Sequence, residues 1–194
     1  MHPTFSRLTA ALRSLALASS LALAVAAPAV AFADDPMVGG AAMYPSKTII
    51  QNAVNSKDHT TLVAAVKAAG LVKTLSGRGP FTVFAPTNEA FAALPAGTVD
   101  TLLMPKNKAM LAGILTYHVV AGRLSAADLA AKAGKMGGKV ELKTVAGGTI
   151  TIESDGKGGW EVVDAKGGKA EITIADVFQS NGVIHVIDKV LLPK

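Results

Sequence analysis

The amino-acid sequence predicts an α+β fold, with helices first and an antiparallel sheet afterwards. Three observations carry this. Apolar residues of the first half recur at helical spacing, those of the second half alternate every other residue, and glycine-rich turns separate the alternating runs. Half of the 194 residues are hydrophobic and only 17% are charged, against about a quarter in average domains. That balance excludes a disordered chain.

At the N-terminus, Arg7 and Arg13 precede an apolar run from Leu15 to Ala27. About 13 residues is short of the roughly 20 that span a bilayer and suits the core of a secretory signal. Ala31-Phe32-Ala33 places small residues where a signal peptidase reads them. Residues 1–33 are therefore expected to be a signal peptide cleaved after Ala33, giving a secreted or periplasmic product that does not span the membrane. Without Arg7 and Arg13 the net charge falls from +5 to +3, so part of the basicity belongs to this segment. The chain has no cysteine, which excludes disulfides, thiolate zinc sites and thiol nucleophiles.

Residues 34–46 mix glycine, proline and small side chains and read as a short linker, so one domain is expected over 47–194. Ile49, Ile50 and Val54 suggest a first helix. Asp58-His59-Thr60-Thr61 offers N-caps for a second, in which Leu62, Val63, Val66 and Ala69 recur until Gly70. Phe81 to Phe84 is β-prone and ends at Pro86. Thr87 can cap a brief helix through Phe91, which Pro95 and Gly97 break. Pro105 opens a helix with Met110, Leu111, Ile114 and Leu115 on one face, and Ser125 to Asp128 resembles a capping box for a helix that Gly134 ends. The period then changes to two. Val140 and Leu142, Ile150 and Ile152, and Ile172 and Ile174 alternate with polar residues, as in a sheet with one wet face. Val183 to Leu192 is apolar on both faces and follows the Asn181-Gly182 turn, so a central strand is expected there.

No phosphate-binding loop, dinucleotide fingerprint, zinc-protease helix or nucleophile elbow occurs. The residues indicate no catalytic group, no metal site and no cofactor. His59, His118 and His185 lie in different elements with no ligand spacing. Seven lysines between Lys132 and Lys169 interleave with Glu141, Glu153, Asp155, Glu161 and Asp164, which reads as a solvated β face. A nucleic-acid surface needs a one-signed stripe with aromatics, and Trp160 is the only aromatic there, so nucleic acid is not expected. Two pairs are candidate contact residues. Asp176-Val177 lies before the last turn and reads as a recognition tip or as a cap or turn former. Tyr117-His118 follows a helix, where burial with polar partners also explains both.

Three stretches resemble the fasciclin-domain family. Gly79 to Phe91 (GPFTVFAPTNEAF) is similar to its first homology segment, Asn181 to Pro193 (NGVIHVIDKVLLP) to its second, and Thr116-Tyr117-His118-Val119-Val120 to the Tyr-His segment between them. The resemblance implies a wedge of two β-sheets with several helices packed along one side. It implies a non-enzymatic adhesion module that meets a cell-surface or matrix protein. Asp176-Val177, at the position of the family's Asp-Ile pair, and Tyr117-His118 are the contacts it suggests. It leaves a second function open, a carrier of a small apolar ligand such as a carotenoid or lipid, because algal proteins of similar fold bind carotenoids.

Overall fold

A computed structural model of the chain describes residues 35–194. The expected signal peptide lies outside the described residues. Seven strands form one mixed sheet in the order β4-β3-β9-β8-β7-β6-β5: β3 (Phe81–Pro86), β4 (Val119–Ala121), β5 (Lys139–Lys143), β6 (Thr149–Ser154), β7 (Trp160–Val163), β8 (Lys169–Gln179) and β9 (Gly182–Ile187). All pairings are antiparallel except β3 with β9. Residues Lys169 to Glu171 of β8 pair with β7, and Ile172 to Gln179 pair with β9. Two register shifts in that second stretch mark bulges, which bend a strand. The sheet thus has two halves hinged on β8, the two-sheet architecture that the resemblance implies.

Every residue of β9 is buried, as its two-sided apolarity requires of a central strand. Its odd and even positions face two cores. Ile184 and Val186 join Val83, Leu115 and the helices, whereas Ile187 joins Phe84, Tyr117, Leu129, Ile150 and Ile152. The helices α1 (Ile49–Ala53), α2 (Thr60–Ala69), α3 (Val72–Leu75), α4 (Asn88–Ala92), α5 (Thr98–Leu103) and α6 (Lys108–Tyr117) lie between the N-terminus and β4. The helix α7 (Ala126–Lys135) precedes β5.

Local chemistry explains most boundaries. Thr48 and Gln51 form a capping box at α1, Ser125 and Asp128 another at α7, and Thr87 caps α4. Gly70 ends α2 in the left-handed conformation. The start of α2 differs from expectation. No side chain of Asp58 to Thr61 caps it. The Asn88 carboxamide, from α4, accepts from the Thr61 N–H at 3.0 Å and from the Thr60 hydroxyl at 3.1 Å. Met110 also departs from the apolar face of α6 and is 60% exposed, while Leu111 and Leu115 are buried.

Residues 35–46 are packed rather than a free linker. The strands β1 (Met37–Val38) and β2 (Ala41–Ala42) form a small hairpin that buries Val38 and Met43 in the helical core. Gly39 has φ +58° and lies against the Ser56–Asp58 backbone so closely that a Cβ would collide. The Lys57 N–H donates to the Gly39 carbonyl at 3.1 Å. Composition misleads here because tight turns and close approach demand the same small residues as a linker.

Candidate functional site

The four expected contact residues are mostly interior. Tyr117, the last residue of α6, is 1% exposed. Its hydroxyl donates to the Thr149 carbonyl at 2.7 Å and accepts from the Ala165 N–H at 2.9 Å. One phenol thus ties α6 to the ends of two hairpins, and burial raises its pKa. His118 is 2% exposed. Its Nδ1–H donates to the Ile114 carbonyl at 2.8 Å, and its Nε2 accepts from the Leu191 N–H at 2.9 Å. That pair of partners fixes the neutral tautomer. Burial pushes its pKa down to about 4, opposed by the Ile114 carbonyl and by Asp164.

Val177 is 1% exposed and pairs with Ile184 in the helical core. Asp176 is half-buried and the one non-glycine residue at positive φ (+59°) among the described residues. Its Oδ1 accepts from the Ala126 N–H at 2.7 Å, at the first residue of α7, where a carboxylate also meets the positive end of the helix. Its own N–H donates to His185 Nδ1 at 3.3 Å, and His185 Nε2–H donates to the Leu124 carbonyl at 2.9 Å. Asp176 and His185 therefore hold the chain that enters α7. Burial lowers the pKa of His185, opposed by the Leu124 carbonyl and Asp176.

The structure places three of the four expected contact side chains, Tyr117, His118 and Val177, in the interior. A partner touching the folded surface does not reach the side chains of Val177, Tyr117 or His118. An apolar partner residue replaces none of their internal bonds. Of the four, only Asp176 is open to solvent. The structure does bring Val177 and His118 to one place, an apolar cavity of about 70 Å³ also lined by Val38, Met43, Val66, Leu115 and Ile184. His59 lines it too. Its Nδ1 is 2.9 Å from the Ser56 hydroxyl, its Nε2 has no hydrogen-bond partner, and burial lowers its pKa. Among the described residues, no group of three or more His, Asp or Glu side chains is placed to hold a metal ion. None of the described helices is long and apolar enough to cross a membrane.

One residue that sequence reasoning took only as a turn former organises an entire end of the domain. Asn181 is buried between β8 and β9. Its Nδ2 donates to the carbonyls of Leu75 and Gly77, both at 2.8 Å, and its Oδ1 accepts from the Ile49 N–H at 3.0 Å. Its carbonyl accepts from the Phe81 N–H at 3.0 Å. Gly79 passes so close that a Cβ would collide with that carbonyl.

A two-part sheet hinged on one strand, helices along one side and polar side chains bonded inward define a scaffold class: a self-contained α+β module. The family model described as "Fasciclin domain" matches residues 57–193. The chain belongs to the fasciclin-domain family. It is 46% identical over 190 residues to Protein sll1483 of Synechocystis sp., covering 94% of this chain and 97% of that one. It is 34% identical to Immunogenic protein MPB70 of Mycobacterium bovis, covering 95% and 96%. It is 38% identical to transforming growth factor-beta-induced protein ig-h3 of Sus scrofa over 77% of this chain and 20% of that one. In fold it matches the structure of a FAS1 domain pair from the insect cell adhesion molecule fasciclin I, with TM-score 0.69, 22% identity, 76% of this chain and 51% of that chain.

Proposed function

We propose that the chain is a non-enzymatic attachment module, exported to the periplasm or beyond, that binds a cell-surface or matrix partner. The carrying observation is the fold shared with a domain pair of a cell adhesion molecule. The inward bonding of Tyr117, His118 and His185 supports it, because it leaves recognition to the outer surface. Asp176 is retained as the one reachable member of the expected contact set. The carrier reading gains nothing from the cavity, since about 70 Å³ is far below the roughly 300–1,000 Å³ of ordinary ligand pockets.

Binding of the purified chain from Asp34 to Lys194 to the producer's envelope and to matrix proteins tests this, together with attachment of a deletion strain. Saturable binding and reduced attachment are expected. Unchanged attachment with no saturable binding overturns the reading.

A further inference from the structure

Four chain segments meet around Asn181 and Ser180. The Ser180 N–H donates to the Lys47 carbonyl at 2.9 Å. The Arg123 guanidinium donates to the carbonyls of Gln179 at 2.8 Å and Ser180 at 3.2 Å. Gly77 and Gly79, which flank Arg78, both lie against Asn181, and Leu75, two residues from Lys73, bonds its carboxamide. Residues 44–49, 72–81, 121–125 and 178–182 thus form one end of the domain. They carry Lys47, Lys73, Arg78 and Arg123 and no acidic residue.

Lys73, Arg78 and Arg123 are exposed, and Lys47 lies over the Tyr44 ring at 4.5 Å. None of the four takes part in an ion pair among the described residues. The carboxylates of Asp128 and Asp176 accept from the Ser125 and Ala126 N–H groups at the start of α7. The chain from Asp34 onward has a net charge of +3, so the remainder of it, without these four, is slightly acidic. Two exposed aromatics lie in the same segments, Tyr44 at 42%, under Lys47, and Phe178 at 38%. Ser46, Thr74, Ser76 and Ser180 add exposed hydroxyls. None of the large exposed aliphatic side chains falls in these segments.

We infer that this end of the domain is a docking surface for an acidic polysaccharide. Uncompensated cations attract a polymer of carboxylates or sulfates over distances longer than any contact. Aromatic rings offer flat apolar faces to sugar rings, and the hydroxyls match sugar hydroxyls. Without projecting aliphatic side chains the surface is a poor match for a lipid bilayer, which takes an apolar face together with its cations. A nucleic acid wants a longer one-signed stripe with more aromatic surface. The inference rests on the attachment reading for where the polymer is met, and it names the chemistry of that partner.

The test is equilibrium binding of the chain from Asp34 to Lys194 to alginate and to heparin at about 50 mM and about 200 mM salt. Single-stranded DNA, polyglutamate and anionic phosphatidylserine vesicles run beside them. The double variant Lys73→Glu/Arg78→Glu changes two exposed side chains that make no hydrogen bond among the described residues. Lys166→Glu/Lys189→Glu makes the same charge change at the opposite end of β8 and β9. The expected result is salt-sensitive binding to one or both polysaccharides, weakened about tenfold or more by the first variant and less than about twofold by the second. Equal losses in both variants would reduce the effect to net charge and overturn the site. Binding as tight to DNA, polyglutamate or vesicles would overturn the polysaccharide. No polysaccharide binding at the lower salt overturns both. Envelope attachment that survives the first variant sinks this inference while leaving the attachment reading standing.

Discussion

The two ends of β8 treat charge in opposite ways. Lys169 opens the strand and lies 2.8 Å from Glu153 of β6 and 2.5 Å from Glu161 of β7, while Lys139 of β5 lies 2.5 Å from Glu153. Four strands are laced there by two lysines on the outer strands that flank two facing glutamates, Glu153 and Glu161, on the inner ones. Ten residues further along β8, Gln179 and Ser180 accept from Arg123, and the segments that meet there contain no acidic residue. At the first end the charges compensate one another within the fold. At the second a neutral side chain, Asn181, does the holding, and the cations remain available. Net charge therefore says little about this molecule; the distribution of partners decides which cations a ligand can use.

The largest expected effect comes from removing the neutral knot. Asn181→Ala loses three buried hydrogen bonds and strands the Leu75 and Gly77 carbonyls and the Ile49 N–H. A loss of about 3–5 kcal/mol in urea unfolding is expected. A loss below about 1 kcal/mol would mean that this end is not organised by Asn181. Next comes Met43→Ala. Met43 anchors the segment that leads to Lys47 and is 2% exposed. About 2–5 kcal/mol is expected for a buried methionine truncation, measured the same way. An unchanged stability would return residues 35–46 to the status of a linker.

Acid separates the regions by pH window. His118 has a folded-state pKa of about 4 against an ordinary 6.5. The folded state binds fewer protons, so stability is full above pH 6.5 and falls as the pH drops toward 4, by about 3 kcal/mol for this group. His59 and His185 act in the same direction. Glu153 behaves otherwise. Its hydrogen bonds to Lys139 and then Lys169 hold its pKa down at about 2 against 4.5, so its contribution is present above pH 4.5 and lost toward pH 2. Unfolding midpoints followed from pH 8 to pH 2 should fall mainly between pH 6.5 and 4, with a small further fall toward pH 2, and His118→Gln should shrink the first. A flat profile between pH 6.5 and 4 would mean that the buried histidines titrate freely.

Periodicity made the elements legible because burial acts through it directly. The alternation of Val140 and Leu142 and of Ile150 and Ile152 specified β5 and β6, and the two-sided apolarity of Val183 to Leu192 specified a central strand, which in the structure ends at Ile187. The family resemblance supplied the topology, including a sheet in two halves. The contact residues were not legible in the same way. Tyr117, His118 and Val177 have types that serve recognition and burial equally, and only partners such as Thr149, Leu191 and Ile184 decide between them. Lys47, Lys73, Arg78 and Arg123 are far apart in sequence and lie in unlike elements. No local pattern marks them as neighbours; the long-range bonds around Asn181 and Ser180 do. Asn88 capping a helix 27 residues earlier is a smaller case of the same kind.

The smallest expected effect tests the compensated end itself. Glu153→Gln keeps the shape of the side chain and removes the charge that Lys139 and Lys169 share. Both lysines are more than half exposed, so water screens most of what the pairs contribute. The expected result is a small drop in unfolding midpoint at low salt that disappears at about 1 M salt, where the screening length is about 3 Å. It should also vanish near pH 2, where the wild-type carboxyl is itself half protonated. The same substitution should leave polysaccharide binding unchanged at the Asn181 end, because the lysines it releases lie at the far end of β8. If it instead strengthens binding, the cations of the two ends act as one field, and the contrast between a compensated and an open end of the strand fails.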